Sequence, residues 1–275
     1  MPAFSKGRKK RLKSLRKADV AIIGGSGLET LLENTEQIRV GTPYGLPPSI
    51  SIGEVRGKSV AFLPRHGVHH SIPPHKVNYR ANIYALFEIG VERIFATNAV
   101  GAINVDFKPG DLVVPHDLVD FTKLRKLSFY DDAPVTHVDM SQPFCSEIRA
   151  LLIKTIKKRS SQVWDRAVIV CTEGPRFETP AEIELFRRLG CDLVGMTVAP
   201  EAILARELEM CYATVSFVSN MAAGFQQRLT AQEVGKVAKE KMPVIEQILK
   251  EAIKHLPTNR RCPCAHSLKD ARFRG

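Results

Sequence analysis

Four short stretches of the 275-residue chain carry residue types suited to holding an anion. Gly24-Gly-Ser-Gly27 ends an apolar run; its glycines permit a tight turn with backbone N–H groups turned toward an anion, and Ser26 adds a hydroxyl. Pro64-Arg-His-Gly67 offers the planar donor fork of Arg65 and a second donor in His66. Asn98 with the backbone of Ala99 is a third candidate contact, and Thr197 a fourth. No ribose-binding acid sits at dinucleotide spacing, so the set suits inorganic phosphate. A second group suits a flat heterocycle: Phe177 offers an aromatic face, Glu178 an acceptor, Asn220 both donor and acceptor, and Met196 a soft apolar wall. Together they describe a purine-sized pocket beside a phosphate pocket.

The elements that must position these residues alternate. Strands are expected at Asp19–Ile23, Ile50–Val55, Ser59–Leu63, Val91–Thr97, Leu112–Pro115, Ala167–Thr172, Leu193–Met196 and Cys211–Val218. Helices are expected at Lys76–Ile89, Phe144–Lys158, Pro180–Leu189, Ala199–Glu209 and from Thr230 to about His255, the last opened by a capping box of Thr230 and Glu233. Asn98–Ala102 reads as a strand-to-loop turn, Asp117–Pro134 as a loop, and Leu256–Gly275 as poorly structured outside its cysteines. The alternation predicts an α/β class with a largely parallel, twisted central sheet, whose strand ends are the usual place for small ligands. No linker divides it: the expected parts are a basic tail (1–17), one domain (18–256) and a C-terminal Cys-x-Cys tail (257–275).

Composition narrows the function classes. Of the net charge of +11, eight positive charges fall within Ser5–Lys17, which holds no acid. This reads as a solvated tail; nothing else resembles a nucleic-acid motif, so no nucleic-acid partner is expected. No apolar run approaches a membrane span and no apolar signal core follows the basic start, so a cytoplasmic protein without a membrane partner is expected. Metal is not expected. The histidine-rich stretch from His66 to His75 lacks a carboxylate, and Cys262-Pro-Cys264 has no second cysteine pair in the sequence to complement it, although His266 lies close.

The motifs resemble those of the purine nucleoside phosphorylase and methylthioadenosine phosphorylase family. The matching pieces are Gly24-Gly-Ser-Gly-Leu28, Pro64-Arg-His-Gly67, Pro73-Pro-His-Lys-Val-Asn-Tyr-Arg-Ala-Asn82, Asn98-Ala-Val-Gly101, Pro109-Gly-Asp111, Glu173-Gly-Pro-Arg-Phe177, Gly195-Met-Thr197 and Pro200-Glu201, running from about residue 19 to 255. The resemblance implies a single α/β domain with a twisted, mixed central sheet flanked by helices. It implies phosphorolysis of a purine nucleoside to free base and ribose 1-phosphate, with inorganic phosphate as co-substrate and no metal or organic cofactor. Carried over, Ser26, Arg65, His66, Asn98, Ala99 and Thr197 would bind phosphate; Met196 would lie under the ribose and Phe177 against the base. His137 would come from a neighbouring subunit of a trimer, or of a hexamer built from trimers. Asn220 would stabilise the leaving purine, making it and His66 the expected catalytic residues. The resemblance also implies disulfides, with Cys145–Cys211 and Cys262–Cys264 as the expected pairs.

Two departures bear on the substrate. Methylthioadenosine-specific members place two aspartates where this chain has Asn220 and Ala222, and a serine where it has Glu178. An ionised Glu178 accepts from the N1–H of a 6-oxopurine but opposes the N1 lone pair of adenine, and mispaired buried polar groups cost a few kcal/mol. A 6-oxopurine is therefore expected. Where ribonucleoside-specific members have a histidine for the 5′-hydroxyl, the match here is Ala231, so inosine, guanosine and 5′-methylthioinosine all remain open. The rival within the family is 5′-methylthioadenosine. A nucleoside hydrolase and a non-catalytic nucleotide or nucleic-acid binder are the rivals outside it.

Overall fold

The computed structural model describes residues 17–25, 28–159 and 162–272. Ser26 and nearly all of the basic tail lie outside the described residues, so neither expectation is addressed. Strands β1 (Val20–Gly24), β4 (Lys58–Pro64), β5 (Arg93–Ala102) and β10 (Cys211–Met221) run parallel and form the buried centre. Their near-continuous apolar runs follow from burial on both faces. β2 (Glu33–Ile38) and β3 (Ile50–Val55) extend the sheet beyond β4 by antiparallel pairing. Arg56 and Gly57, both at positive φ, make the two-residue turn between β3 and β4, as the sequence predicts. On the other side stand β9 (Leu193–Gly195), β8 (Val168–Thr172) and β7 (Asp117–Phe121), while the two-residue β6 (Leu112–Val113) pairs with β10. The sheet is mixed rather than largely parallel: β2, β3, β6 and the β5–β9 pairing are antiparallel.

Five helices pack against the sheet within the described residues: α1 (Tyr79–Glu88), α2 (Ser146–Lys157), α3 (Pro180–Arg188), α4 (Val198–Glu207) and α5 (Ala231–Lys254). α2 buries Ile148, Leu152, Thr155 and Ile156, one face at helical spacing. α4 is buried nearly all round. α3 opens with a full capping box between Thr179 and Glu182. In α5 only half of the expected box forms. Thr230 accepts from the Glu233 N–H, while the Glu233 carboxylate accepts from Gln226 Nε2 (2.9 Å).

Three expectations are corrected. Asn98–Ala102 is not a turn; it continues β5, because β10 pairs with it through Ala102. Asp117–Phe121 is a strand, paired in parallel with β8, although its polar residues mask the pattern. The segment after Leu256 is packed: Cys262, Cys264 and Ala271 are buried, and Lys58 Nζ donates to Leu256 O (2.6 Å) and Arg93 Nη2 to Thr258 O (3.1 Å). Its order comes from contacts distant in sequence, which local propensity does not register.

Candidate active site

β5 changes partners along one edge, and the change opens the site. β1 pairs with it only as far as Ala96, and β9 takes over only at Gly101. Between these points Thr97, Asn98, Ala99 and Val100 line a cavity of about 550 Å³ at the C-terminal ends of β1 and β4. Gly25, Arg65, His66, Phe177, Glu178, Met196, Thr197, Asn220 and Ala222 line the same cavity. The structure thus brings together every described candidate except His137. That residue is exposed, and its backbone N–H donates to Ala271 O (2.8 Å).

Arg65 is 2% exposed, and its fork is engaged by a carboxylate rather than open to an incoming anion. Nε donates to Glu201 Oε1 (2.5 Å), Nη2 to Glu201 Oε2 (2.9 Å) and Nη1 to Thr97 O (2.8 Å). Glu201, fully buried on α4, also accepts from Tyr212 Oη (2.7 Å). The remaining N–H groups of Arg65 are held in one orientation at the cavity wall. Burial disfavours the guanidinium, but Glu201 outweighs it and drives the Arg65 pKa further up.

His66 differs from its expected role as a donor. Its Nδ1 lies 2.9 Å from Ile72 O; a carbonyl only accepts, so Nδ1 carries the proton. Burial and the adjacent Arg65 charge push its pKa down to about 4. The ring is therefore neutral near pH 7, and Nε2 is an acceptor. His70 stacks on it at 4.3 Å between ring centroids and also lines the cavity.

Asn98 is the clearest preset donor. Thr214 and Ser216, two residues apart on one face of β10, donate to its Oδ1 at 2.7 and 2.9 Å. With the oxygen fixed, Nδ2 is turned away, and it is buried without a hydrogen-bond partner. Such an orphan costs about 1–3 kcal/mol unless a ligand accepts from it. Thr197 is the N-cap of α4, makes no side-chain cap bond and lines the cavity at the positive end of the helix.

A bulge shapes the other wall. Between Val218 and Asn220 the register of β10 on β5 slips by one, so Ser219 and Asn220 both line the cavity instead of pointing to opposite faces. Asn220 Oδ1 accepts from Ser219 Oγ (2.6 Å) and Nδ2 donates to Met221 O (2.9 Å), leaving the second N–H of the amide. Glu178 Oε1 accepts from Thr172 Oγ1 (2.6 Å), and burial raises the Glu178 pKa. Gly174, at φ 64°, lies so close to Met196 that a Cβ there would stand 2.5 Å from Sδ. Only glycine supplies both that backbone and that approach.

The sequence did not single out Glu201, Ser219 or Thr214 and Ser216 as site residues. It did single out Ala231, and α5 extends that apolar wall: Ala231, Val234, Gly235, Ala238 and Met242 line the cavity at helical spacing, with Leu229 just before them. A local signal for this wall existed in that spacing. The expected disulfides are not formed: all six cysteines are free and buried. Nor does Cys262-Pro-Cys264 lack a complementary pair, because Cys145 and Cys211 meet it in space.

The family model described as "Phosphorylase superfamily" matches residues 19–254. A relative from Pyrococcus furiosus named "6-oxopurine nucleoside phosphorylase" is 51% identical, over 92% of this chain and 98% of its own length. A relative from Methanothermobacter thermautotrophicus named "Probable S-methyl-5'-thioinosine phosphorylase" is also 51% identical, over 92% and 89%. The crystal structure of a methylthioadenosine phosphorylase from an antarctic soil metagenomic library superposes with a TM-score of 0.88 at 36% identity, over 94% of this chain and 93% of that one.

Proposed function

As the chain belongs to the phosphorylase superfamily, we propose that it is a pentosyltransferase that splits a purine nucleoside with inorganic phosphate, preferring a 6-oxopurine base and accepting a 5′-methylthio sugar. The observation that carries this reading is the orphan Nδ2 of Asn98, a residue that lines one cavity with Arg65, His66, Thr197, Glu178 and Asn220.

Phosphate is held by the Arg65 N–H groups that Glu201 and Thr97 leave free, Asn98 Nδ2, the Ala99 backbone and the Thr197 hydroxyl at the α4 N-terminus. Neutral His66 accepts, at Nε2, a hydrogen bond from the one P–OH that a phosphate dianion retains near pH 7. As the glycosidic bond stretches, the ribosyl carbon becomes cation-like. The fixed dianion stabilises that charge and then forms the new C–O bond, so orientation and electrostatics supply most of the acceleration. The bonding pair leaves with the purine, whose growing negative charge is met by the Asn220 amide. Glu178, when ionised, accepts from N1–H of an oxopurine, and Phe177 covers the base. Met196 lies against the sugar. The apolar wall of α5 offers no partner to a 5′-hydroxyl and favours a thioether there. This reading makes 5′-methylthioinosine the preferred substrate, ahead of inosine and guanosine. It also implies a homotrimer, or a hexamer of two trimers, in which the exposed His137 reaches a neighbour's site.

One observation favours a second reading. Burial raises the Glu178 pKa, and a protonated Glu178 would donate to N1 of adenine, making 5′-methylthioadenosine the substrate. Phosphate-dependent base release from inosine, 5′-methylthioinosine, adenosine and 5′-methylthioadenosine, compared by kcat/KM, separates the two. The oxopurines lead if Glu178 works ionised; adenine nucleosides lead if it works protonated. Base release that ignores phosphate would sink both.

A further inference from the structure

Four cysteines that are far apart in the chain meet at one point away from the cavity. Cys145 immediately precedes α2, Cys211 opens β10, and Cys262 and Cys264 flank Pro263 in the C-terminal segment. All four are buried, and their Sγ atoms lie within 4.8 Å of one another. The Cys211 and Cys262 sulfurs are 3.3 Å apart, and all four are free thiols. Tetrahedral zinc, bound at about 2.3 Å by four thiolates, sets its sulfurs about 3.8 Å apart. The cluster therefore needs only small side-chain shifts to enclose one cation.

The surroundings suit a negatively charged centre. Arg206, 7% exposed near the end of α4, donates from Nη1 to Cys264 Sγ at 3.7 Å. A tetrathiolate zinc carries a net charge of −2, and a buried guanidinium donating to one sulfur offsets part of it.

We propose that Cys145, Cys211, Cys262 and Cys264 form a structural tetrathiolate site for zinc. The ion joins the C-terminal segment to the starts of α2 and β10. Four Zn–S bonds form as the thiol protons pass to solvent, and no electron is transferred. The segment it secures runs on to Ala271 and Arg272, which pair with His137 and Thr136. The site so stiffens the loop carrying His137. It is independent of which nucleoside the cavity takes.

The test is the metal content of the full-length protein, purified under reducing conditions without chelator, by inductively coupled plasma mass spectrometry. About one zinc per chain is expected. Cys191→Ser, which alters a buried cysteine in a separate cluster, keeps it, and the double variant Cys262→Ser/Cys264→Ser loses it. Should the double variant not fold, wild-type protein stripped of metal and titrated with Co²⁺ gives the visible bands of a tetrahedral thiolate site, which Zn²⁺ abolishes. Trace metal with all six thiols titratable after denaturation overturns the proposal. So does trace metal with four thiols lost to disulfides, or a Co²⁺ spectrum without thiolate charge transfer.

Discussion

Arg65 and Glu201 form a two-point ion pair, 2.5 and 2.9 Å between heavy atoms, with both side chains almost wholly removed from solvent. The pair joins the end of β4 to α4, the helix whose N-terminus faces the cavity. Breaking a buried pair by removing one partner strands the other charge and costs about 3–5 kcal/mol. Glu201→Gln is therefore expected to lower the unfolding free energy by roughly that amount and to raise the KM for phosphate more than the KM for nucleoside. Denaturant unfolding and two-substrate kinetics check both. An unchanged phosphate KM would show that Arg65 needs no such positioning.

Asn98 tests the phosphate site without disturbing an ion pair. A hydrogen bond to a charged group contributes about 1.5–3 kcal/mol, so Asn98→Ala should weaken phosphate use by roughly 10- to 150-fold. Asn98→Asp should do worse, because it sets a carboxylate oxygen where the donor stood. Arsenate, used in place of phosphate, should show the same order. Equal effects of the two variants would mean that Nδ2 does not meet the anion.

Glu178 predicts a pH dependence with a definite sign. Its pKa is raised, chiefly by burial. Oxopurine cleavage needs the ionised form, so kcat/KM for 5′-methylthioinosine should fall as pH drops through a value above the ordinary carboxylate range. Glu178→Gln should remove that limb of the profile. It should also narrow the preference for oxopurine over adenine nucleosides by about 10- to 100-fold, the effect of a few kcal/mol of mispairing.

His66 should contribute no titration near its ordinary pKa. It is held down to about 4 by burial and the Arg65 charge, so it stays neutral throughout the neutral range. NMR of the free enzyme should find its ring unprotonated, with the proton on Nδ1, at pH 6. A protonated ring at that pH would refute the acceptor role.

Ala231 decides the sugar. Ala231→His places a polar imidazole in the apolar wall of α5, beside Val234, Gly235 and Ala238. The variant should gain on inosine relative to 5′-methylthioinosine, read as the ratio of the two kcat/KM values. A ratio that does not move would remove this wall from the specificity argument.

The fold class and most elements were legible in the sequence because they rest on local periodicity. The buried run at Val20–Gly24, the paired run around Arg56-Gly57 and the amphipathic face of α2 each announce themselves within a dozen residues. Asp117–Phe121 did not, because its two aspartates interrupt a short, half-exposed strand that takes its conformation from β8.

By itself the sequence determined which side chains were available for phosphate and purine, since residue type fixes donor and acceptor chemistry. Arg65, Asn98, Thr197, Glu178 and Asn220 indeed meet in one cavity. Only the tertiary structure decided how each is presented. Glu201 reaches Arg65 across 136 positions of chain, and Thr214 and Ser216 fix the Asn98 amide across more than a hundred. The bulge at Ser219 turns Asn220 inward, and the Ile72 carbonyl together with the Arg65 charge makes His66 an acceptor. The four clustered cysteines belong with these. Hydrogen bonds, charges and desolvation act through space, so the partner that sets a group's orientation or protonation is chosen by the fold and has no fixed distance along the chain.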